Sequence, residues 1–388
     1  MNIFLRLKEL TFIFLAFAIP FSVALTNILI VIFTLLWLIE GDFKNKLLKT
    51  SSSKWFFSIF LLAILYLVGM FNGEYHSDLF YVLKRLLLLL LFIPVLTSRL
   101  SKFTIEKSIY VFLFTNFLAA AIAVLINLDI IQPLFSNASI SSFLKYSYHN
   151  ILLSFSSLLC FVLYVKSKHK FSFIYLLLIL TYTLSIFTEA GRAGQLTFNL
   201  FFLLFAIYYF KNHVKYSLLI FVFLLIVNYF SYSNSPIFKH RVDHLTHIVK
   251  HDGKKKNKKN KEKDIRYVLL KSTTEMVFKK PIFGYGTGSF IDFFNQYTNA
   301  SYDIKQHKTP HNNYLYILFE VGLLGLIAFL SIFYYQIREL LHKNNHNWEV
   351  LLLPLFMLIL MFFDSYMFVF TITVFYIYMY KIFKISFT

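Results

Sequence analysis

Apolar runs of about 20 residues recur along this chain, each bounded by charged or turn residues. That is the length a helix needs to cross the roughly 30 Å hydrocarbon core of a bilayer. The runs fall at 8–24, 25–40, 55–71, 82–97, 105–127, 148–165, 171–187, 195–210, 215–232, 313–336, 350–363 and 366–384. They predict an all-α polytopic membrane protein of about twelve transmembrane helices, with one large outer loop that itself contains helices. Three regions follow: residues 1–232 as a membrane domain of about nine spans, 233–312 as the loop, and 313–388 as the last three spans. Only Pro20 and Thr26-Asn27 interrupt the first two runs, so one kinked span is the alternative there. Ala16-Phe17-Ala18 follows a basic start in the manner of a cleavage site, but the apolar run continues past it, which predicts an uncleaved anchor.

Composition agrees with the pattern. Of the 388 residues 58% are hydrophobic and 15% charged, against roughly 25% charged in soluble domains, which rules that class out. The 49 Phe and 26 Tyr are expected on lipid-facing and interfacial surface. Cys160 is the single cysteine, so an intrachain disulfide and a multi-cysteine metal cage are both excluded. The net charge of +19 is informative through its placement. With the N-terminus inside, eighteen Lys and Arg fall on short inner segments, and four (Lys84, Arg85, Lys145, Arg192) on short outer ones. Joining the first two runs into one span changes this to sixteen against six, by moving Arg6 and Lys8, and leaves everything downstream in place. The remaining sixteen lie in 233–312 with seven acids; long loops are exempt from the charge rule. An outer basic loop excludes nucleic acid as a partner and favours membrane lipids with anionic head groups, or phosphorylated glycolipids.

Inside the loop, His240, His244, His247 and His251 share a helical face over 239–251, either as a zinc stripe or as a solvated polar face. Residues 252–264 are a lysine tract with too little apolar content to fold alone. From Ile265 an amphipathic helix carries Arg266 and ends before Pro281 in PIFGYGTGSF (281–290), where Gly284, Gly286 and Gly288 permit either an anion-facing backbone or a plain turn. His311 and Asn312 then open the tenth span, in which Gly322 and Gly325 predict a close-packing face and Glu320 is an intramembrane acid. Lys84 and Arg85 read either as phosphate ligands or as snorkelling cations.

Three stretches, EAGRAGQLTF (189–198), the Arg266 helix running into PIFGYGTGSF, and HNNYLYILFEVGLLG (311–325), resemble the O-antigen ligase family of membrane glycosyltransferases. The resemblance implies transfer of a glycan from undecaprenyl diphosphate to lipid A core in lipopolysaccharide biosynthesis, on the periplasmic side of a bacterial cell inner membrane. It assigns Arg192, Arg266 and His311 as essential residues, with Asn312 matching the family's usual residue after the histidine. Their chemistry reads as catalytic base for His311 and donor-diphosphate ligands for the two arginines, and Glu320, Glu189, Gly284 and Gly286 stand as candidate supporting residues. No cofactor or metal is expected: the chain has no Asp-x-Asp, and arginine forks meet phosphate oxygens without one. Structural alternatives stand beside these roles: Arg192 paired with Glu189, Arg266 as one more exposed charge beside the lysine tract, His311 capping a span through Thr309 and Asn312, Glu320 as a buried link between helices. The rival functions are an O-antigen polymerase joining lipid-linked repeats and, from another class, a flippase or exporter of lipid-linked sugars.

Overall fold

The computed structural model describes all residues except 1–2, 52, 73–76, 134–142, 168–171, 236–237, 240–241, 244–264, 299–307, 344–347 and 387–388. Among the described residues there is no strand. The helices are α1 (Ile3–Phe21), α2 (Val23–Ile39), α3 (Phe43–Ser51), α4 (Lys54–Asn72), α5 (Leu79–Leu89), α6 (Phe92–Thr97), α7 (Lys102–Asn127), α8 (Tyr146–Lys166), α9 (Phe173–Thr188), α10 (Arg192–Tyr209) and α11 (Val214–Asn234). After the loop come α12 (Ile265–Val277), α13 (Phe290–Tyr297), α14 (Asn313–Lys343), α15 (Leu352–Leu360) and α16 (Phe370–Ser386). The protein is an all-α polytopic membrane protein, and every predicted span is occupied by helix. The histidine stripe at 239–251 lies almost wholly, and the lysine tract at 252–264 wholly, outside the described residues.

Six helical stretches, led by Lys54–Asn72 and Asn313–His342, are each long and apolar enough to cross a bilayer. The others are shorter, as Phe173–Thr188 is, or carry polar residues along part of their length, as Arg192–Tyr209 does with Gln195, Thr197 and Asn199. At the N-terminus only Ser22 separates α1 from α2. Its amide donates to the Ala18 carbonyl at 2.8 Å and its own carbonyl accepts from Thr26 at 3.0 Å, while its hydroxyl caps the Leu25 amide. One residue bends a helical path but is too short for a hairpin, which needs about two to five. The first two predicted runs are therefore one bent path, made where Pro20 withholds an amide.

Two compact units divide the chain, one of Met1–Arg6, Phe33–Lys102 and Asn257–Thr388, the other of Leu7–Ile32 and Phe103–Lys256. In the second unit α8 is buried without a break from His149 to Val162, and α9 and α10 both pack against it. In the first unit α16 is buried from Thr371 to Phe383. Tyrosines divide between surface and core: Tyr110, Tyr216 and Tyr229 are exposed, while Tyr182, Tyr376 and Tyr380 are buried in these cores. Tyr376 donates to Gln336 at 2.6 Å, Tyr380 to Glu339 at 3.0 Å, and Tyr182 to the Leu113 carbonyl at 2.7 Å. Each hydroxyl thereby meets an acceptor, which makes a buried phenol affordable in an apolar interior. Phenylalanine divides in the same way, with Phe57, Phe71 and Phe80 exposed and Phe12, Phe92 and Phe155 buried.

Candidate functional site

His311, Asn312 and Asn313 open α14, and each has its own task. The Asn312 side-chain oxygen accepts the Leu315 amide at 3.0 Å, an N-cap, and its amide nitrogen donates to the Phe362 carbonyl at 3.3 Å. Asn313 donates its backbone N–H to the Met361 carbonyl at 3.0 Å and accepts the Met367 amide at 2.9 Å. Residues 361–367, between α15 and α16, are thus stapled to the start of α14. That places Asp364 against His311, with Nδ1 2.9 Å from Oδ1. His311 is held at a positive φ of 57°, a left-handed conformation that non-glycine residues adopt at a cost and that concentrates at functional sites. His311 is not itself the cap; Asn312 is.

Asp364 cannot donate when ionised, so the shared proton sits on His311 Nδ1 and the lone pair on Nε2. Burial works against a charge on Asp364, but the His311 hydrogen bond and charge, the Ser365 amide and the Arg266 charge outweigh it and hold its carboxyl below the usual value. Arg266, the second residue of α12, is thereby placed within electrostatic reach of the dyad. The buried face of α12, Val268, Leu269, Ser272, Thr273, Met276 and Val277, packs on α14 and fixes that position.

The glycine loop is tied to the same helix. Gly322 breaks α14 with φ 68°, which frees carbonyls one turn earlier: Tyr285 donates to Phe319 O at 2.7 Å and Gly286 to Glu320 O at 3.0 Å. Glu320 is fully buried, and the Gly288 amide donates to its carboxylate at 2.5 Å, with the amides of Ser289 and Phe290 also directed at it. The acceptor that this loop faces is the protein's own Glu320 carboxyl, and the amides of Gly284 and Gly286 both go to backbone carbonyls. Gly322 likewise serves the loop and not a helix–helix seam: a Cβ there would lie 2.0 Å from the Ile282 carbonyl.

In the second unit, EAGRAGQ closes the turn from α9 to α10. Gln195 donates to the carbonyls of Ile186 at 3.0 Å and Glu189 at 2.9 Å. Asn150 also donates to Ile186, at 3.0 Å, and a Cβ on Gly191 or Gly194 would meet Asn150 at 2.4 or 2.5 Å. Arg192 is the first residue of α10 and is exposed. It does not pair with Glu189, whose carboxylate is buried with no hydrogen-bond partner and is pushed up to about 8 by burial. Asp364 is the residue that sequence reasoning passed over. Its only signal was its position, an acid left in the two-residue gap between the runs ending at 363 and starting at 366.

The fold and site together define a helical membrane protein with a histidine–carboxylate dyad at the start of α14 and an arginine charge upon it. Residues 173–330 match the family model described as O-Antigen ligase, which supports an O-antigen ligase family assignment. Arg192, Arg266 and His311 all lie inside the match; Asp364 lies beyond it. No curated protein matches the chain. The match supports a glycosyltransferase-like activity of the ligase or polymerase type.

Proposed function

We propose that this protein is an O-antigen ligase that moves a glycan from undecaprenyl diphosphate to a hydroxyl of lipid A core at the periplasmic face of the inner membrane. The observation that carries the chemistry is the 2.9 Å contact between His311 and Asp364. His311 Nε2 takes the proton of the acceptor hydroxyl as its oxygen bonds to the anomeric carbon. The bond from that carbon to the diphosphate oxygen breaks, and undecaprenyl diphosphate leaves with the electron pair. Attack opposite the leaving group inverts the anomeric centre. Arg266 meets the charge that develops on the diphosphate, a role suited to a guanidinium fork. Asp364 fixes the tautomer and orientation of the ring.

Transfer assays with purified enzyme, lipid-linked donor and core glycolipid test this. The ligase reading expects core modification that persists in excess chelator. Elongation of donor glycan with no modified core identifies a polymerase instead, and loss of turnover restored by added metal refutes the metal-independent scheme. Asp364→Asn is expected to lower kcat on the order of 100-fold, within the range of general-base catalysis, with a small change in donor KM. An unchanged kcat would remove the dyad from the mechanism.

A further inference from the structure

Asp78 precedes α5 and is followed by Tyr81 and Arg85 at spacings of three and four, hence on one face. The Asp78 amide donates to the Gly288 carbonyl at 3.0 Å, which ties this helix start to the glycine loop. Lys308, three residues before His311, pairs with Asp78 at 2.8 Å. Its ammonium lies 5.1 Å from the Tyr81 ring centre, and the Arg85 guanidinium lies 5.2 Å from the same ring. The charges felt at Tyr81 are those of Arg85, Asp364, Lys308 and Asp78, so this cluster and the His311–Asp364 dyad share one neighbourhood.

The balance of charge there is uneven. Asp78 is engaged by Lys308, and Asp364 by His311, Ser365 and the charge of Arg266. Among the described residues Arg85 has no carboxylate partner, and its Nε is buried without an acceptor. It sits within the apolar stretch Leu79–Thr97, about 9 Å along the helix from Leu79 at 1.5 Å per residue. Simple snorkelling would leave that nitrogen in water. A guanidinium at this depth is stable when an anion meets it, and its planar fork suits phosphate oxygens, with a lysine nearby as a point charge.

We propose that Arg85 and Lys308, gathered around Tyr81, form a phosphate-binding subsite beside the His311–Asp364 dyad, which takes a phosphate group of a lipid-linked substrate. The assignment of that phosphate to a substrate rests on the glycan-transfer reading above. Two sources share the chemistry: the donor diphosphate, and a phosphate carried by the acceptor glycolipid. Neither Arg85 nor Lys308 was reached by the three motifs, and Arg85 lies outside the matched family segment.

The test uses the full chain in nanodiscs, with Arg85→Gln, Arg85→Lys and Lys308→Gln, and farnesyl diphosphate as a binding probe against farnesol as control. Arg85→Gln is expected to weaken farnesyl diphosphate binding about tenfold or more, with Arg85→Lys between it and the parent and farnesol unaffected. Unchanged probe affinity together with a similar rise in KM for phosphorylated acceptor, absent for dephosphorylated acceptor, assigns the phosphate to the acceptor. If all three variants keep probe affinity and both KM values within about twofold, the subsite does not exist. Should Arg85→Gln fail to yield monodisperse protein, Lys308→Gln gives the same readout, since that side chain is 45% exposed. Arg85-dependent probe binding by a protein that transfers no glycan would refute the transfer reading and leave the subsite intact.

Discussion

Asp364 and Glu189 are both largely buried carboxyls beside helix ends, yet their environments push them in opposite directions. Asp364 has His311, an amide and the Arg266 charge to favour its ionised form. Glu189 has burial alone, which raises its pKa from 4.5 to about 8. Between those two values the folded protein holds a proton that the unfolded chain has released. Stability contributed by Glu189 is therefore full below about pH 4.5 and declines as pH rises toward 8. Glu189→Gln is expected to abolish that decline and to stabilise the protein at pH 8 by on the order of a few kcal/mol. Thermal unfolding in detergent at pH 5 and pH 8 checks this; parallel losses in parent and variant would mean that the carboxyl is ionised in the fold. Motif likeness made His311 and Arg266 legible in the sequence. It did not reach Asp364, whose partner is 53 residues away, because a lone acid at a span boundary has many equally good readings until the fold brings a histidine to it.

At the scale of elements, hydropathy located the helices because burial in lipid demands long apolar runs, and that demand is written residue by residue. It is blind to breaks inside a run. The span predicted at 82–97 is two helices that meet at Leu90-Leu91, and α14 is interrupted at Gly322 to receive a loop. Both follow from backbone geometry and hydrogen bonding, which a hydrophobicity scale does not encode. The interlock at Gly322 is backbone against backbone, so relief by side-chain rotation is closed to it. Gly322→Ala adds a Cβ 2.0 Å from the Ile282 carbonyl at a positive φ, and is expected to cost about 3 kcal/mol or more, or to prevent folding. Gly325→Ala is the control: its Cβ would meet the Val321 side chain and not backbone, and it has no positive φ, so the loss should be smaller. Equal melting temperatures for the two variants would mean that loop 281–290 is not anchored as described.

For the molecule as a whole, the chemistry requires the dyad to face the compartment in which lipid-linked glycan is presented, and the lysine and arginine bias is the quantity that sets that facing. Sixteen basic residues against six remain on the inner side when the first two runs form one path, and the segments after Ile39 keep the orientation they had under either reading. Ser77, at the start of α5, and Lys102, at the start of α7, are both exposed and fall on opposite sides of the span between them. Cys160, the single cysteine, is fully buried, so the native chain is a nearly silent background for thiol labelling. Ser77→Cys should react with a membrane-impermeant maleimide in spheroplasts, and Lys102→Cys only after the membrane is opened. The inverse pattern would put His311, Asp364 and Arg85 on the cytoplasmic side, where the proposed periplasmic transfer would have no site.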